Sequence, residues 1–110
     1  MNDTQRRIAR KLVELLVEAE CTVSVWQEED YTIKQSHYVD EILAAMGEGM
    51  MDTLEIDQPL KTDPDDPYQG NIYLVYHDKT TIIEDDIKPA IKPIVNQVKE
   101  FAASLAGEQP

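Results

Sequence analysis

Apolar side chains in the opening segment recur with the spacing of a helix. Five of them in residues 4–20 follow one another at intervals that place them on one helical face: Ile8, Leu12, Leu15, Leu16 and Ala19. Such a stripe predicts an amphipathic helix. Asp3 or Thr4 is its predicted N-cap, because a short polar side chain there can accept a hydrogen bond from the first turn.

The next residues alternate between apolar and other side chains, which is typical of strands. Val23 and Val25 belong to one face of residues 21–36 and Trp26 to the other, and a polar break at residues 28–30 separates two runs. This pattern predicts a β-hairpin.

A second helix is predicted between two polar or flexible residues. Ser36 is its expected N-cap, and Gly47 stands where helices commonly end in a left-handed residue. Residues 52–57 then alternate again and predict a third strand.

The second half of the chain predicts one loop, two strands and a helix. Residues 58–70 hold three prolines, which neither a helix nor a central strand accommodates. Residues 71–77 and 80–85 are rich in aromatic and β-branched side chains, and we predict that these two strands are the most buried pair. A last apolar stripe predicts a helix from about Lys92 to Gly107.

These elements predict an α+β fold in the order α-β-β-α-β-β-β-α. The short connections favour a mainly antiparallel sheet of four to five strands, with three helices packed on it. We expect one domain over residues 1–110, with residues 107–110 frayed. One sheet face is expected to stay partly exposed, with Trp26 and Tyr73 as outward residues that form a patch.

The charge of the chain is large and unevenly distributed. The net charge is −12, and residues 14–78 carry sixteen Asp or Glu against two Lys, whereas residues 1–13 carry four basic residues and one Asp. A negative field of this kind repels the phosphates of nucleic acid and anionic lipid surfaces. We therefore expect no direct binding to nucleic acid or to a membrane.

Composition also indicates the compartment. Cys21 is the only cysteine, so no intramolecular disulfide forms, and no apolar run reaches the ~20 residues of a membrane span. The N-terminus lacks the pattern of a signal peptide. We expect a protein of the reducing cytoplasm.

Candidate metal and catalytic groups are sparse. Asp63, Asp65 and Asp66 are close in sequence, but the spacing of a calcium-binding loop is absent. The two histidines, His37 and His77, are not spaced like zinc ligands, and no motif of nucleophilic catalysis occurs. We predict no metal, no cofactor and no catalytic residues.

A metal-dependent hydrolase is the enzymatic alternative. Pro64-Asp65 followed by Asp86-Ile87-Lys88 is similar to the Pro-Asp and Asp-x-Lys elements of restriction-type nucleases, in which carboxylates bind magnesium and a lysine supports the attacking water. Asp65, Asp86 and Lys88 are thus candidates for a metal-dependent hydrolase. The net charge opposes a DNA substrate.

Two stretches, SVWQEEDYTIKQSHYVDEILAAM and GNIYLVYHDKTTIIEDDI, carry a resemblance. They resemble small acidic proteins of unassigned function that are encoded by phages and prophages. In those proteins an aromatic strand, a polar turn and an Ile-to-Asp strand end precede a C-terminal helix, and Val75-Tyr76, His77 to Thr80 and Ile83 to Asp86 are the counterparts here. The resemblance implies a phage or mobile-element context and no active site.

The acidic central segment has three interpretations, all of which stay open: a surface that maintains solubility, a docking surface for a basic partner, and a mimic of the DNA phosphate array. The leading hypothesis is a non-enzymatic protein-binding module with an acidic and aromatic surface. A homodimer also remains open. The candidate partner-binding residues are Trp26, Glu28, Glu29, Asp30, Asp63, Asp65 and Asp66.

Overall fold

The computed structural model describes residues 2–27, 29–47, 49–59, 65–77 and 80–108. Its helices and strands are α1 (Asp3–Glu18), β1 (Thr22–Gln27), β2 (Asp30–Ser36), α2 (Val39–Ala44), β3 (Met51–Asp57), β4 (Tyr68–Tyr76), β5 (Thr80–Asp85) and α3 (Lys92–Glu108). The α+β class and the predicted order are confirmed.

The five strands form one antiparallel sheet in the order β2-β1-β3-β4-β5. The strands β1 and β2 make a hairpin, and β3, β4 and β5 make a meander. The helix α2 connects these two units, and the pairing of β1 with β3 joins them within the sheet. The predicted antiparallel sheet is therefore confirmed, with its first strand inserted between the second and the third.

All three helices share one hydrophobic core with one face of the sheet. Alternate residues of the three middle strands point into this core, and six of them are completely enclosed: Val23, Val25, Leu54, Ile56, Ile72 and Leu74. The helices contribute side chains such as Leu12, Ile42 and Val95, which are equally enclosed. Most side chains on the opposite face of the sheet are half-buried or exposed.

The prediction that β4 and β5 are the most buried pair is wrong. The strand β5 lies at the edge of the sheet, and its side chains alternate between half-buried and exposed. Burial is greatest in β1, β3 and β4, since each has a neighbouring strand on both sides. The side chain of Glu84 points inward from β5, yet it pairs with Lys92 and Lys99 of α3, whose own side chains are half-exposed.

Both predicted N-caps differ from the structure. Asn2 caps α1: its side chain accepts from the Gln5 N–H at 2.8 Å, and the Gln5 side chain accepts from the Asn2 N–H at 2.9 Å. This reciprocal capping box fixes the cap one residue before Asp3.

The residue before α2 is also different. Ser36 closes β2, where its Oγ accepts from the Tyr38 N–H at 3.2 Å, and Tyr38 is the N-cap of α2 without a side-chain hydrogen bond. Gly47, by contrast, has the predicted left-handed backbone, with φ of 85°.

The predicted loop at residues 58–70 is shorter than expected, because β4 begins at Tyr68. Gly70 makes this possible. Its φ is +121°, and a Cβ there would lie 2.6 Å from the Asp86 carbonyl oxygen and 2.8 Å from the Ile87 Cα. The glycine thus permits both an unusual backbone and the close approach of the segment after β5.

The last helix extends one residue beyond the predicted end. Its backbone is helical as far as Glu108, and residues 109–110 of the predicted frayed end lie outside the described residues. In the parts of the chain that the structure describes, no helix has the length and apolarity to cross a membrane.

Candidate functional site

Side chains on the open face of the sheet form rows that cross several strands. One row contains one residue from each of the five strands, and we call it the aromatic row: Tyr31, Trp26, Thr53, Tyr73 and Ile83. The next row, which we call the acidic row, contains Ser24, Glu55, Asn71 and Asp85. Residues directly opposite on antiparallel strands have Cβ atoms about 4.5–5.5 Å apart. The two rows therefore form a continuous surface.

A shallow cavity of about 500 Å³ lies where the two rows meet. We call it the dish, and its lining is Trp26, Thr53, Glu55, Tyr68, Asn71 and Tyr73. The first strand of the hairpin and two strands of the meander contribute to it. Tyr68 joins them because a register shift between Ile56 and Asp57 pairs Asp57 with Tyr68 at the start of β4.

Glu55 is held in the dish by two donors from the hairpin. Trp26 Nε1 donates to Glu55 Oε2 at 3.1 Å, and the Tyr31 hydroxyl donates to the same oxygen at 2.9 Å. Among the described residues, no donor contacts Glu55 Oε1 and no cation pairs with this carboxylate. A carboxylate can accept about four hydrogen bonds, so Glu55 retains acceptor capacity.

The aromatic side chains are anchored through their polar ends. The Trp26 and Tyr31 rings lie with centroids 3.9 Å apart at an angle of 42°, and both donate to Glu55. The Tyr73 hydroxyl donates to Asp85 Oδ2 at 3.3 Å. The polar ends of these rings are therefore engaged with carboxylates, and Trp26 and Tyr73 line the dish.

The charge of this face is negative. The open face carries the carboxylates Glu55, Asp57 and Asp85, and Lys34 is the single Lys or Arg of the five strands. Lys34 lies at the β2 edge, with its Nζ 4.7 Å from the centroid of the Tyr31 ring. A cationic group approaching the dish therefore meets a negative potential that this chain's strands barely neutralise.

The pKa values of two tyrosines on this face are shifted in the direction that a negative potential produces. The hydrogen bond to Glu55, followed by desolvation, raises the pKa of Tyr31. Desolvation, followed by the charges of Asp86 and Asp85, raises the pKa of Tyr68. These phenols therefore stay neutral hydrogen-bond donors at physiological pH.

Asp57 extends the carboxylates of β3 beyond the dish. Its residue is 6% exposed, and burial, followed by the charge of Glu55, raises its pKa. Two neighbouring carboxylates on one strand face thus repel each other. A bound cation would relieve this repulsion.

The structure places one predicted partner-binding residue in the dish, namely Trp26. Glu29 and Asp30 lie at the hairpin turn, where Asp30 Oδ1 accepts from the Tyr31 N–H at 2.8 Å. Asp66 pairs with Lys88, with 3.6 Å between Oδ2 and Nζ, and the exposed Asp65 precedes it. Glu28 and Asp63 lie outside the described residues.

The residues of the hydrolase alternative have other structural contacts. The partner of Lys88 is Asp66. Asp86 has a φ of 58°, and its carbonyl oxygen packs against Gly70. Over the described ranges, no group of three or more His, Cys, Asp or Glu side chains is placed to hold a metal ion.

Sequence reasoning missed Glu55, Tyr31 and Tyr68 as site residues. The alternation in residues 52–57 does point Glu55 away from Leu54 and Ile56, and hence toward the open face. The alternation does not predict which strands pair. Trp26 lies beside Thr53 because β1 pairs with β3, although β2 and α2 separate these strands in the sequence.

No protein-family model, no curated protein and no solved structure matches this chain.

Proposed function

We propose that this protein is a non-enzymatic binding module that docks a basic segment of a partner protein on the open face of its sheet. The observation that carries the proposal is Glu55 in the dish. It is an anchored carboxylate, surrounded by aromatic rings, with no cationic partner among the described residues. Aromatic side chains of this kind supply most of the energy in many protein interfaces.

The overall charge supports a basic partner. A net charge of −12 accelerates encounter with a positively charged surface and disfavours acidic competitors. The single cysteine is compatible with a cytoplasmic setting, and the resemblance to phage and prophage proteins is compatible with a partner from the phage or its host. The cytoplasmic setting and the phage or host origin of the partner are both part of what we propose.

Mimicry of DNA is the second candidate, and we rank it lower. The described carboxylates are divided between both layers of the fold, and several are already paired with cations on the helices, as Glu14 and Asp40 are with Arg10. A phosphate mimic requires a one-sided array, whereas the open face interleaves its carboxylates with aromatic rings.

The proposal is tested with a synthetic peptide that contains Arg, Lys and Gly. Trp26 is the single tryptophan of the chain, so its fluorescence reports directly on the dish. We expect the peptide to change the Trp26 emission in a saturable manner, and added salt to weaken binding because it screens exposed charges.

A matched pair of variants assigns the site. Glu55→Gln removes one charge from the dish and is expected to weaken binding about fivefold, the upper end of what a partly exposed ion pair contributes. Glu100→Gln removes the same charge from the exposed surface of α3 and is expected to leave the affinity nearly unchanged. An absent Trp26 response, or equal losses in the two variants, contradicts the proposal.

A further inference from the structure

We infer that the dish takes an arginine side chain of the partner, with its guanidinium stacked between Trp26 and Tyr73 and paired with Glu55. This inference rests on the proposed function and names the group that the docking face recognises. It is carried by the spacing of the two strands that bear these rings, by the way the rings are anchored, and by the acceptor left on Glu55.

The spacing of the strands suits one planar group. Trp26 and Tyr73 are the two cross-strand neighbours of Thr53, so their strands lie about 10 Å apart, twice the usual strand spacing. A flat group stacked between two rings needs about 7 Å, since each stacking contact takes about 3.5 Å. The short side chain of Thr53 forms the floor and leaves this space open.

The rings are organised before any ligand arrives. Trp26 is fixed by its hydrogen bond to Glu55 and by its contact with Tyr31, and Tyr73 is fixed by its hydrogen bond to Asp85. Little side-chain entropy remains to be lost on binding, which favours affinity. Because the polar ends are occupied, what the rings offer a ligand is chiefly their π faces.

Glu55 supplies the complementary charge. Both of its donors contact Oε2, and Oε1 accepts from none of the described residues. A guanidinium has five N–H donors in one plane, so it can lie against the rings and donate to Oε1 at the same time. The Asn71 amide in the same lining offers a further polar contact at the rim.

Other cations and aromatic ligands fit this site less well. The ammonium of lysine is compact and strongly hydrated, and in a shallow dish it keeps its water and gains little from ring faces. A nucleobase could stack on the rings, but its phosphates would meet Glu55 and Asp85. The arrangement therefore points to arginine within a protein segment.

Three synthetic peptides of equal length test the inference: alternating Arg and Gly, alternating Lys and Gly, and alternating citrulline and Gly. Citrulline keeps the planar shape and loses the charge. We expect the arginine peptide to bind about two- to fivefold more tightly than the lysine peptide, the range expected for a cation–π contact at an exposed site. The citrulline peptide is expected to bind weakest.

Variants then separate the ring contact from general charge. Tyr73→Leu keeps the Trp26 fluorescence and removes one π face, so the preference for arginine over lysine should fall toward one. Tyr73→Phe keeps the ring and should retain the preference. Tyr38→Leu, at a tyrosine that is 60% exposed before α2, is the matched control and should change neither affinity. Near-ultraviolet circular dichroism verifies that each variant is folded.

The outcomes distinguish the inference from the function on which it rests. Equal affinity for the arginine and lysine peptides, with Trp26 responding to both, overturns the arginine inference and leaves the docking function standing. Equal affinity for arginine and citrulline shows that shape alone is recognised and overturns both. Failure of every peptide to perturb Trp26 also overturns both.

Discussion

Two carboxylates on the strand β3 lie three residues apart and have opposite surroundings. Asp52 is fully enclosed on the helix-covered face, where it accepts from the Tyr76 hydroxyl at 2.6 Å, from Gln27 Nε2 at 2.8 Å and from the Gly47 N–H at 2.8 Å. Glu55 is half-buried on the open face and accepts from two side chains on one oxygen. Each receives a tyrosine hydroxyl, yet only Asp52 has donors on both of its oxygens.

The difference separates a structural carboxylate from the one to which we assign ligand binding in our proposal. The three donors of Asp52 tie β1, β4 and the turn after α2 to a single side chain. Removing it leaves the buried Tyr76 hydroxyl and the Gly47 N–H without this acceptor, whereas Gln27 Nε2 keeps its hydrogen bond to the Ala45 carbonyl oxygen. Glu55 is held in place by its two hydrogen bonds, and among the described residues no donor contacts its second oxygen. Stability should therefore depend on Asp52, and ligand affinity on Glu55.

The largest expected effect is the removal of the buried carboxylate. Asp52→Ala should lower the free energy of unfolding by about 3 kcal/mol, because one substitution removes three hydrogen bonds, one of them from the buried Tyr76 hydroxyl. Glu55→Ala should cost less than about 1 kcal/mol, since water replaces its bonds. Urea unfolding monitored by circular dichroism measures both. Similar losses of unfolding free energy in the two variants would contradict the proposed difference between the buried and the open-face carboxylate.

The second effect concerns the end of the sheet that presents Tyr68 to the dish. Gly70→Ala should destabilise the fold by about 2 kcal/mol, because the new Cβ would overlap the Asp86 carbonyl and the backbone is left-handed. Gly49→Ala is the control: its Cβ would meet nothing within 4 Å, and its cost should stay within about 0.5 kcal/mol. Thermal unfolding of the pair checks this, and equal midpoints would contradict the predicted contact.

The third effect compares the two phenols directly. Tyr76 is 5% exposed and donates to Asp52, so Tyr76→Phe should cost about 1.5 kcal/mol. Tyr31→Phe removes the same atom from the open face and should cost about 0.5 kcal/mol, while it weakens peptide binding through Glu55. Denaturation measures the stability of both variants, and peptide titration measures their affinity for the peptide. A Tyr76→Phe variant that lost peptide binding and kept its stability would contradict the assignment of Tyr76 to stability and of Tyr31 to binding.

The smallest expected effect is a pH dependence that originates at Asp57. Burial raises the pKa of Asp57 above its ordinary value of 3.8, so the folded protein binds a proton more readily than the unfolded chain does. Stability from this residue is present below pH 3.8 and is lost as the pH rises through the elevated folded pKa. Asp57→Asn should therefore stabilise the protein at neutral pH, with the difference vanishing in acid.

Unfolding of wild type and of Asp57→Asn over a pH series isolates this contribution, because every other carboxylate is common to both proteins. A difference that is independent of pH would contradict the assigned cause. So would a variant that is less stable than the wild type at neutral pH.

Local patterns in the sequence were sufficient to predict the elements of the fold. The helical stripe around Leu12 and the alternation of Val23 and Val25 report burial directly, and the structure confirms both as core. The same alternation placed Trp26 on the outward face. Caps were predicted less well, because the choice of Asn2 over Asp3 depends on a reciprocal bond with Gln5 that composition does not reveal.

The site required information that no local pattern holds. Glu55 and Trp26 are 29 residues apart, and they meet because β1 pairs with β3, with β2 displaced to the edge. The burial of Asp52 also depends on distant partners, since Tyr76 and Gln27 supply its hydrogen bonds. Sequence reasoning chose the clustered acidic residues at 28–30 and 63–66, whereas our candidate site is built around Glu55, a carboxylate beside aromatic rings.

The insertion of β1 between β2 and β3 has a consequence for folding. The hairpin and the meander can each form from neighbouring residues, but Trp26 and Tyr31 come from the hairpin, while Glu55 and Tyr73 come from the meander. Neither unit alone contains the dish, so it forms at the step that joins them. A ligand held across this seam should slow hydrogen exchange at the paired amides of β1 and β3 before those of the outer strands, so binding would reinforce the junction between the two units.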